Sequence, residues 1–203
     1  MMLSTIERSS VTIRSPATSA SPRDQISAIA FPTALDWMAL AWSEDTLRGI
    51  VFGYPSQRQA KFALGRIQYS PGQFWHFPTA SQLADEPKWV AELMAGLERF
   101  AEGEPVDFSD VPLGVDHLSR FGRRVVAACR AISWGQVTTY GDLAAACGSP
   151  GAARAVGCVM ARNRFPLVVP CHRVLASGGG LGGYSAPDGL RMKRRLLAME
   201  ATA

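Results

Sequence analysis

Two apolar runs, residues 37–42 and 47–52, flank Ser43-Glu44-Asp45-Thr46, and this spacing predicts a β-hairpin. A short helix is expected over 56–64. Residues 87–102 place Val90, Leu93, Met94, Leu97 and Phe100 at helical spacing, with Pro87 suited to the first turn and Gly103 to the stop. Residues 103–114, with Pro105 and Pro112, read as a linker. Beyond it, Phe121, Val125, Cys129 and Ile132 mark one face of another helix, which Trp134-Gly135 ends. The run from Thr138 to Cys147 predicts a short helix with a threonine hydroxyl available as N-cap. Gly148-Ser149-Pro150-Gly151 is a turn, and a second short helix follows over 152–160. Helix, tight turn, helix is the outline of a helix-turn-helix. The apolar run Leu167-Val168-Val169 predicts a buried strand into Cys171, then a glycine-rich loop at 178–183 and a terminal helix over 190–200.

These elements give an α+β chain in three parts: a disordered tail over 1–25, a small mixed α/β domain over 26–115, and a winged-helix-like domain over 116–203. The tail is rich in Ser, Thr, Ala and Arg and poor in large apolar residues. Glu7 and Asp24 argue against a transit peptide, and no secretory apolar segment is present. No stretch approaches the roughly 18 apolar residues of a membrane span. Four cysteines, none in a CxxC pair, and three scattered histidines predict neither a metal site nor a disulfide framework. A reducing cytosol fits, or the nucleus of a eukaryotic cell.

Charge changes this picture. Residues 1–115 carry nine Lys/Arg against thirteen Asp/Glu, a net −4, whereas residues 116–203 carry twelve against four, a net +8. A basic half of that size suits a phosphate-rich partner.

The candidate chemistry centres on Pro170-Cys171-His172-Arg173-Val174. Histidine or arginine beside a cysteine lowers its pKa toward neutrality, and the thiolate is the nucleophile. The second helix of the pair, Ala152-Ala153-Arg154-Ala155-Val156-Gly157-Cys158, carries one long side chain on an almost bare surface. A sequence-reading helix needs several polar groups aimed at base edges. This one suits a protein that approaches any sequence closely and displaces one base, with Arg154 entering the stack.

Thr139-Tyr140-Gly141, Ala153-Arg154-Ala155-Val156-Gly157, Asn163, Pro170-Cys171-His172-Arg173-Val174 and Gly183-Tyr184-Ser185 occur in one order, followed by Leu196-Leu197 and Glu200. Together they resemble the O6-alkylguanine-DNA alkyltransferase family, strongly over 116–203 and in outline before it. The resemblance implies a ribonuclease H-like N-terminal domain. It implies irreversible transfer of an alkyl group from O6 of guanine, with O4 of thymine a second target, to Cys171. His172 would relay the thiol proton through a water, oriented by Glu200. Tyr140 would press on the target phosphate and donate to the base, and Arg154 would fill its vacated place. Asn163 would tie the helix pair to the active-site segment, while Tyr184 and Ser185 cover the guanine. Thr139, Ala153, Ala155, Gly157 and Val174 complete the implied DNA- and substrate-binding set. The implied partner is double-stranded DNA bound in its minor groove without sequence preference, by a monomer. No cofactor is implied, because the alkyl carbon is already electrophilic.

The chain departs from the family pattern at Ser119-Arg120-Phe121-Gly122, at Ile132-Ser133-Trp134-Gly135, at Asn163-Arg164, at Cys158 and at Pro187-Asp188. None touches the nucleophile or its relay. Three rival readings are a lesion-binding protein without transfer, a winged-helix regulator and a cysteine hydrolase. Cys171 argues against the first, the bare helix against the second, and turnover separates the third. Two further motifs are discounted. Gly178-x-Gly180-x-x-Gly183 matches a dinucleotide fingerprint but opens no helix. The basic run Arg191–Arg195 reads as a solvated helix face, and His76, among aromatic residues, as packing.

Overall fold

The computed structural model describes residues 25–67, 74–79 and 82–201, so the expected tail lies outside the described residues except for Gln25. Three strands, β1 (Gln25–Thr33), β2 (Asp36–Ser43) and β3 (Thr46–Tyr54), form an antiparallel meander. β4 (Phe74–His76) runs parallel to β1, and the sheet order is β3-β2-β1-β4. The expected hairpin is β2–β3, with Glu44 in the left-handed region at its turn. β1, which contains Pro32, has no counterpart in the sequence reading. The proline is tolerated because β4 pairs only with Gln25–Ser27, which among the described residues leaves β1 unpaired on that side at Pro32.

Helix α1 (Gln57–Gly65) starts where the Ser56 hydroxyl accepts from the Gln59 N–H at 3.3 Å. Helix α2 (Lys88–Ala101) buries Val90, Leu93, Leu97 and Phe100, the stripe that its periodicity predicts. Gly103, at φ +93°, ends it as expected.

The segment over 103–114 is not a free linker. The Arg130 guanidinium donates to the carbonyls of Phe108 and Val111, Phe108 is buried, and Leu47 exchanges backbone hydrogen bonds of 2.8 Å with Pro112 and Gly114. Proline and glycine remove regular structure without removing contacts, and their pattern does not separate a strap from a tether.

Helix α3 (Arg120–Arg130) is capped by Ser119 and buries Val125, Val126 and Cys129. Helices α4 (Tyr140–Ala146) and α5 (Ala153–Ala161) form the expected helix-turn-helix, with Gly148 and Gly151 at positive φ in the turn. Two short parallel strands, β5 (Thr138–Thr139) and β6 (Val174–Leu175), and helix α6 (Leu190–Ala201) complete the chain. One apolar cluster runs through both halves, from Phe31 and Trp42 through Phe100 and Val125 to Leu196.

The expected strand into Cys171 is absent. Leu167 turns at φ +73°, the Val169 N–H donates to the Phe165 carbonyl at 2.7 Å, and Cys171–Arg173 form a 3-10 turn. The strand follows the cysteine, as β6. Three buried apolar residues are compatible with a strand or a compact turn, and periodicity over so short a run does not decide between them.

Candidate active site

The 3-10 turn sends Cys171 one way and its two neighbours another. The His172 ring is fully buried, with Nε2 2.8 Å from Glu200 Oε1. Arg173 forks onto the same carboxylate, Nε and Nη2 each donating at 2.9 Å, and its Nη1 donates to the Ile132 carbonyl at 2.5 Å. Glu200 comes from α6, one face of which (Met192, Lys193, Leu196, Glu200) is buried. Burial alone would raise the Glu200 pKa, but hydrogen bonds from His172 and Arg173 outweigh it and hold the carboxyl at about 2. Burial lowers the His172 pKa despite Glu200, so the ring is neutral near pH 7. In that state Nε2–H donates to Glu200, and Nδ1, which has no hydrogen-bond partner among the described residues, keeps its lone pair free.

His172 and Arg173 do not bring the resting thiol's pKa down toward neutrality. Burial pushes the Cys171 pKa up. The groups opposing this are the Asn163 carboxamide, whose Nδ2 donates to Sγ at 3.2 Å, the Lys193 ammonium and nearby backbone N–H groups. The resting group is a thiol, 6% exposed.

Lys193 also departs from its expected place. It lies inside the molecule, not on a solvated face, and its Nζ donates to the carbonyls of Val174 at 2.6 Å and Leu181 at 2.5 Å. It thereby fastens the glycine-rich loop to the strand after the nucleophile. The signal was the α6 period, which puts position 193 on the same face as Met192, Leu196 and Glu200; the flanking arginines masked it.

The remaining predicted residues fall around one cavity of ≈ 690 Å³, lined by Thr139, Tyr140, Ala153, Arg154, Gly157, Cys171, Tyr184 and Ser185 among others. Thr139 caps α4, its Oγ1 accepting from the Asp142 N–H at 3.1 Å. Tyr140 opens α4 and packs so closely on Gly182 that a Cβ there would lie 2.8 Å from its ring. Arg154 is exposed on α5. Asn163 sits just beyond α5; besides the sulfur it binds the Val169 carbonyl (2.8 Å) and, through Oδ1, the Phe165 N–H (3.0 Å). Three of these predicted residues stand apart from the cavity wall: Asn163 lines a second, neighbouring cavity, Ala155 is exposed on α5, and Val174 is buried behind the site. Among the described residues there is no cluster of His, Cys, Asp and Glu that could hold a metal ion.

This geometry meets a consistent set of relatives. Residues 120–202 match the family described as 6-O-methylguanine DNA methyltransferase, DNA binding domain. A methylated-DNA–protein-cysteine methyltransferase of Methanopyrus kandleri is 46% identical over 108 residues, 53% of this chain and 78% of the relative. One from Metallosphaera sedula is 40% identical over 120 residues, 59% and 72% of the two chains. The chain belongs to the methylated-DNA–protein-cysteine methyltransferase family. The likeness of this methyltransferase to solved structures extends over the N-terminal half. The Mycobacterium tuberculosis OGT–DNA complex has a TM-score of 0.64 at 27% identity, covering 87% of this chain and 93% of that one. The O6-methylguanine-DNA methyltransferase of Pyrococcus kodakaraensis gives 0.57 at 27% identity, covering 86% and 98%.

Proposed function

We propose that the protein repairs O6-alkylguanine in DNA by moving the alkyl group, once, onto Cys171. The observation that carries this is a sulfur at the floor of a cavity beside a helix-turn-helix, backed by the buried His172–Glu200–Arg173 chain. Duplex DNA lies against α5, whose small residues allow close backbone approach in the minor groove without reading sequence. Arg154 takes the place of the extruded base, Tyr140 contacts the target phosphate and base, and the Tyr184-Ser185 loop covers the guanine. A water between Sγ and His172 carries the thiol proton, with Glu200 stabilising the imidazolium. The Sγ–C bond forms as the O6–C bond breaks, and the proton leaves with guanine. The basic imidazole nitrogen matters because the resting thiol is neutral.

Several further readings belong to this proposal. Residues 26–115 form a ribonuclease H-like domain, supported by the meander and α1. Residues 116–203 form a winged-helix-like domain, supported by α3 to α5 with β5 and β6. The protein acts as a monomer in the compartment that holds the DNA; among the described residues no helix is long and apolar enough to cross a membrane. The test is to incubate the protein with an oligonucleotide methylated at guanine O6 and weigh it. Its mass should rise by one methyl and stop, with the methyl on Cys171. Continued turnover, or a methyl on Cys129, Cys147 or Cys158, counts against the proposal.

A further inference from the structure

Helix α1 is opposite in charge to the half of the chain that contains it. Residues 46–84 hold no Asp or Glu, and their cationic residues are Arg48, Arg58, Lys61 and Arg66. Arg48 lies 3.8 Å from Asp116. The other three belong to α1 and its C-cap. The helix buries Ala60 and Leu64 in a cluster with alanines of β1 and β2, and leaves Arg58, Phe62 and Arg66 exposed. Spaced four residues apart, these three form one row about 12 Å long. Phe62 is 70% exposed, more than any other large apolar residue described. A second exposed ring, Phe77, stands beside the helix with Lys61 Nζ 4.8 Å from its centre. Among the described residues neither Arg58 nor Arg66 has an acidic partner. Arg66 acts on the Tyr54 phenol, which burial keeps neutral near pH 7, so its charge is not cancelled.

The row is continuous with the helix of small residues. Ala161, the last residue of α5, lines both cavities that reach Cys171, and the second of them, ≈ 400 Å³, has Arg162 and Arg66 in its wall. A cationic path therefore leads from Arg154 past Arg162 to Arg66 and along α1 to Arg58. Phosphates of a duplex call for cations alone, whereas an unpaired strand is held by a cationic track together with aromatic rings on which bases stack. We infer that α1 is a second DNA contact, which takes unpaired nucleotides adjoining the duplex on α5, so that a lesion beside a single-stranded stretch is preferred; this rests on the repair reading above. Arg58 and Arg66 meet phosphates, and a base stacks on Phe62 between them. Such stacking accepts any base, in keeping with the bare surface of α5.

Two duplexes with the same O6-methylguanine test this, one blunt and one continued on the lesion strand as a thymidine tail, 5′ or 3′. In binding titrations the wild type should hold one of the tailed forms about tenfold more tightly than the blunt one, the scale of one stacked base. Phe62→Ala should abolish that preference while affinity for the blunt duplex and methyl transfer within it stay within about twofold, which also shows that the variant is folded. Arg58→Gln combined with Arg66→Gln should lower the salt slope on tailed DNA by roughly 1.4, at about 0.7 for each phosphate contact to a single strand, and leave the blunt slope unchanged. Equal wild-type affinity for blunt and both tailed forms overturns the inference. So does a tail preference that survives Phe62→Ala, or a double variant whose slope falls equally on blunt DNA, because the arginines would then be duplex contacts. Failure of the wild type to transfer methyl from the blunt duplex would instead sink the repair reading and this inference with it, whereas transfer without a tail preference sinks this inference alone.

Discussion

Burial sets the reactivity of Cys171, and the Asn163 carboxamide is the strongest single group that opposes it. Asn163→Ala removes a donor that stabilises the anionic sulfur more than the neutral one. The pH at which Cys171 reacts with a small alkylating reagent should therefore rise; an unchanged profile would mean that Asn163 only braces the Val169 carbonyl. The measurement belongs in a Cys158→Ser background, since Cys158 is exposed. Glu200 leads to a stability prediction. Its folded pKa, about 2, lies below the ordinary 4.5, so its contribution is present above pH 4.5 and is lost as pH falls toward 2. His172 is lowered from 6.5, so the unfolded chain binds its proton first and stability also declines as pH drops below 6.5. Glu200→Gln leaves Arg173 buried without a counter-charge and should cost about 3–5 kcal/mol at pH 7. Urea midpoints from pH 7 to pH 3 should show the variant less stable at neutral pH and flatter below pH 4.5; parallel curves would refute the linkage.

At the scale of the element, α5 is a helix of small residues with one long arm. If Arg154 replaces an extruded base, Arg154→Ala should slow repair in matched duplex much more than opposite a mismatch or in single strands, where unstacking costs less than the usual few kcal/mol. A phosphate contact instead predicts equal losses on all duplexes, restored at low salt. Single-turnover rates on the three substrates decide. Helices α1, α3 and α4 were legible because caps, breakers and a 3.6-residue period agree: Ser56, Ser119 and Thr139 cap the helices that they precede. Much of what was not legible is non-local. β1 is a local exception: β2, the next strand, pairs along it through Pro32, and only its first residues meet the distant β4. The turn before Cys171 depends on a left-handed Leu167 that no residue preference announces. Lys193 and Arg173 were visible as charges, yet their partners, the Val174 and Leu181 carbonyls and Glu200, are set by how α6 lies against the site.

In the whole molecule the sheet and the active site share one core, and the contact between them is tight at Gly53. This residue, at φ +78°, leaves room for Met192 and Pro187; a Cβ there would lie 3.0 Å from Met192 Cε. Gly53→Val should destabilise the protein by about 2 kcal/mol, through backbone strain and overpacking. It should also slow transfer, because Pro187 follows the Tyr184-Ser185 segment that lines the cavities at Cys171. Gly65→Ala, with no atom within 4 Å of the added methyl, is the control and should leave transfer unchanged. Urea denaturation and single-turnover rates check both; equal effects at the two positions would remove the coupling between sheet and loop.

Cys158 and Cys171 border the same cavity, one exposed and the other buried. An electrophile free in solution meets Cys158. One carried on an extruded base is delivered to Cys171, whose thiol is otherwise withdrawn and protonated. Selection thus works by delivery more than by intrinsic reactivity. Each chain changed at Cys171 then records mainly one damaged base, because free alkylating agents meet the buried thiol far more slowly than the exposed Cys158, which makes the pool of protein a dosimeter of genomic injury, with Cys158 a separate gauge of the surrounding fluid.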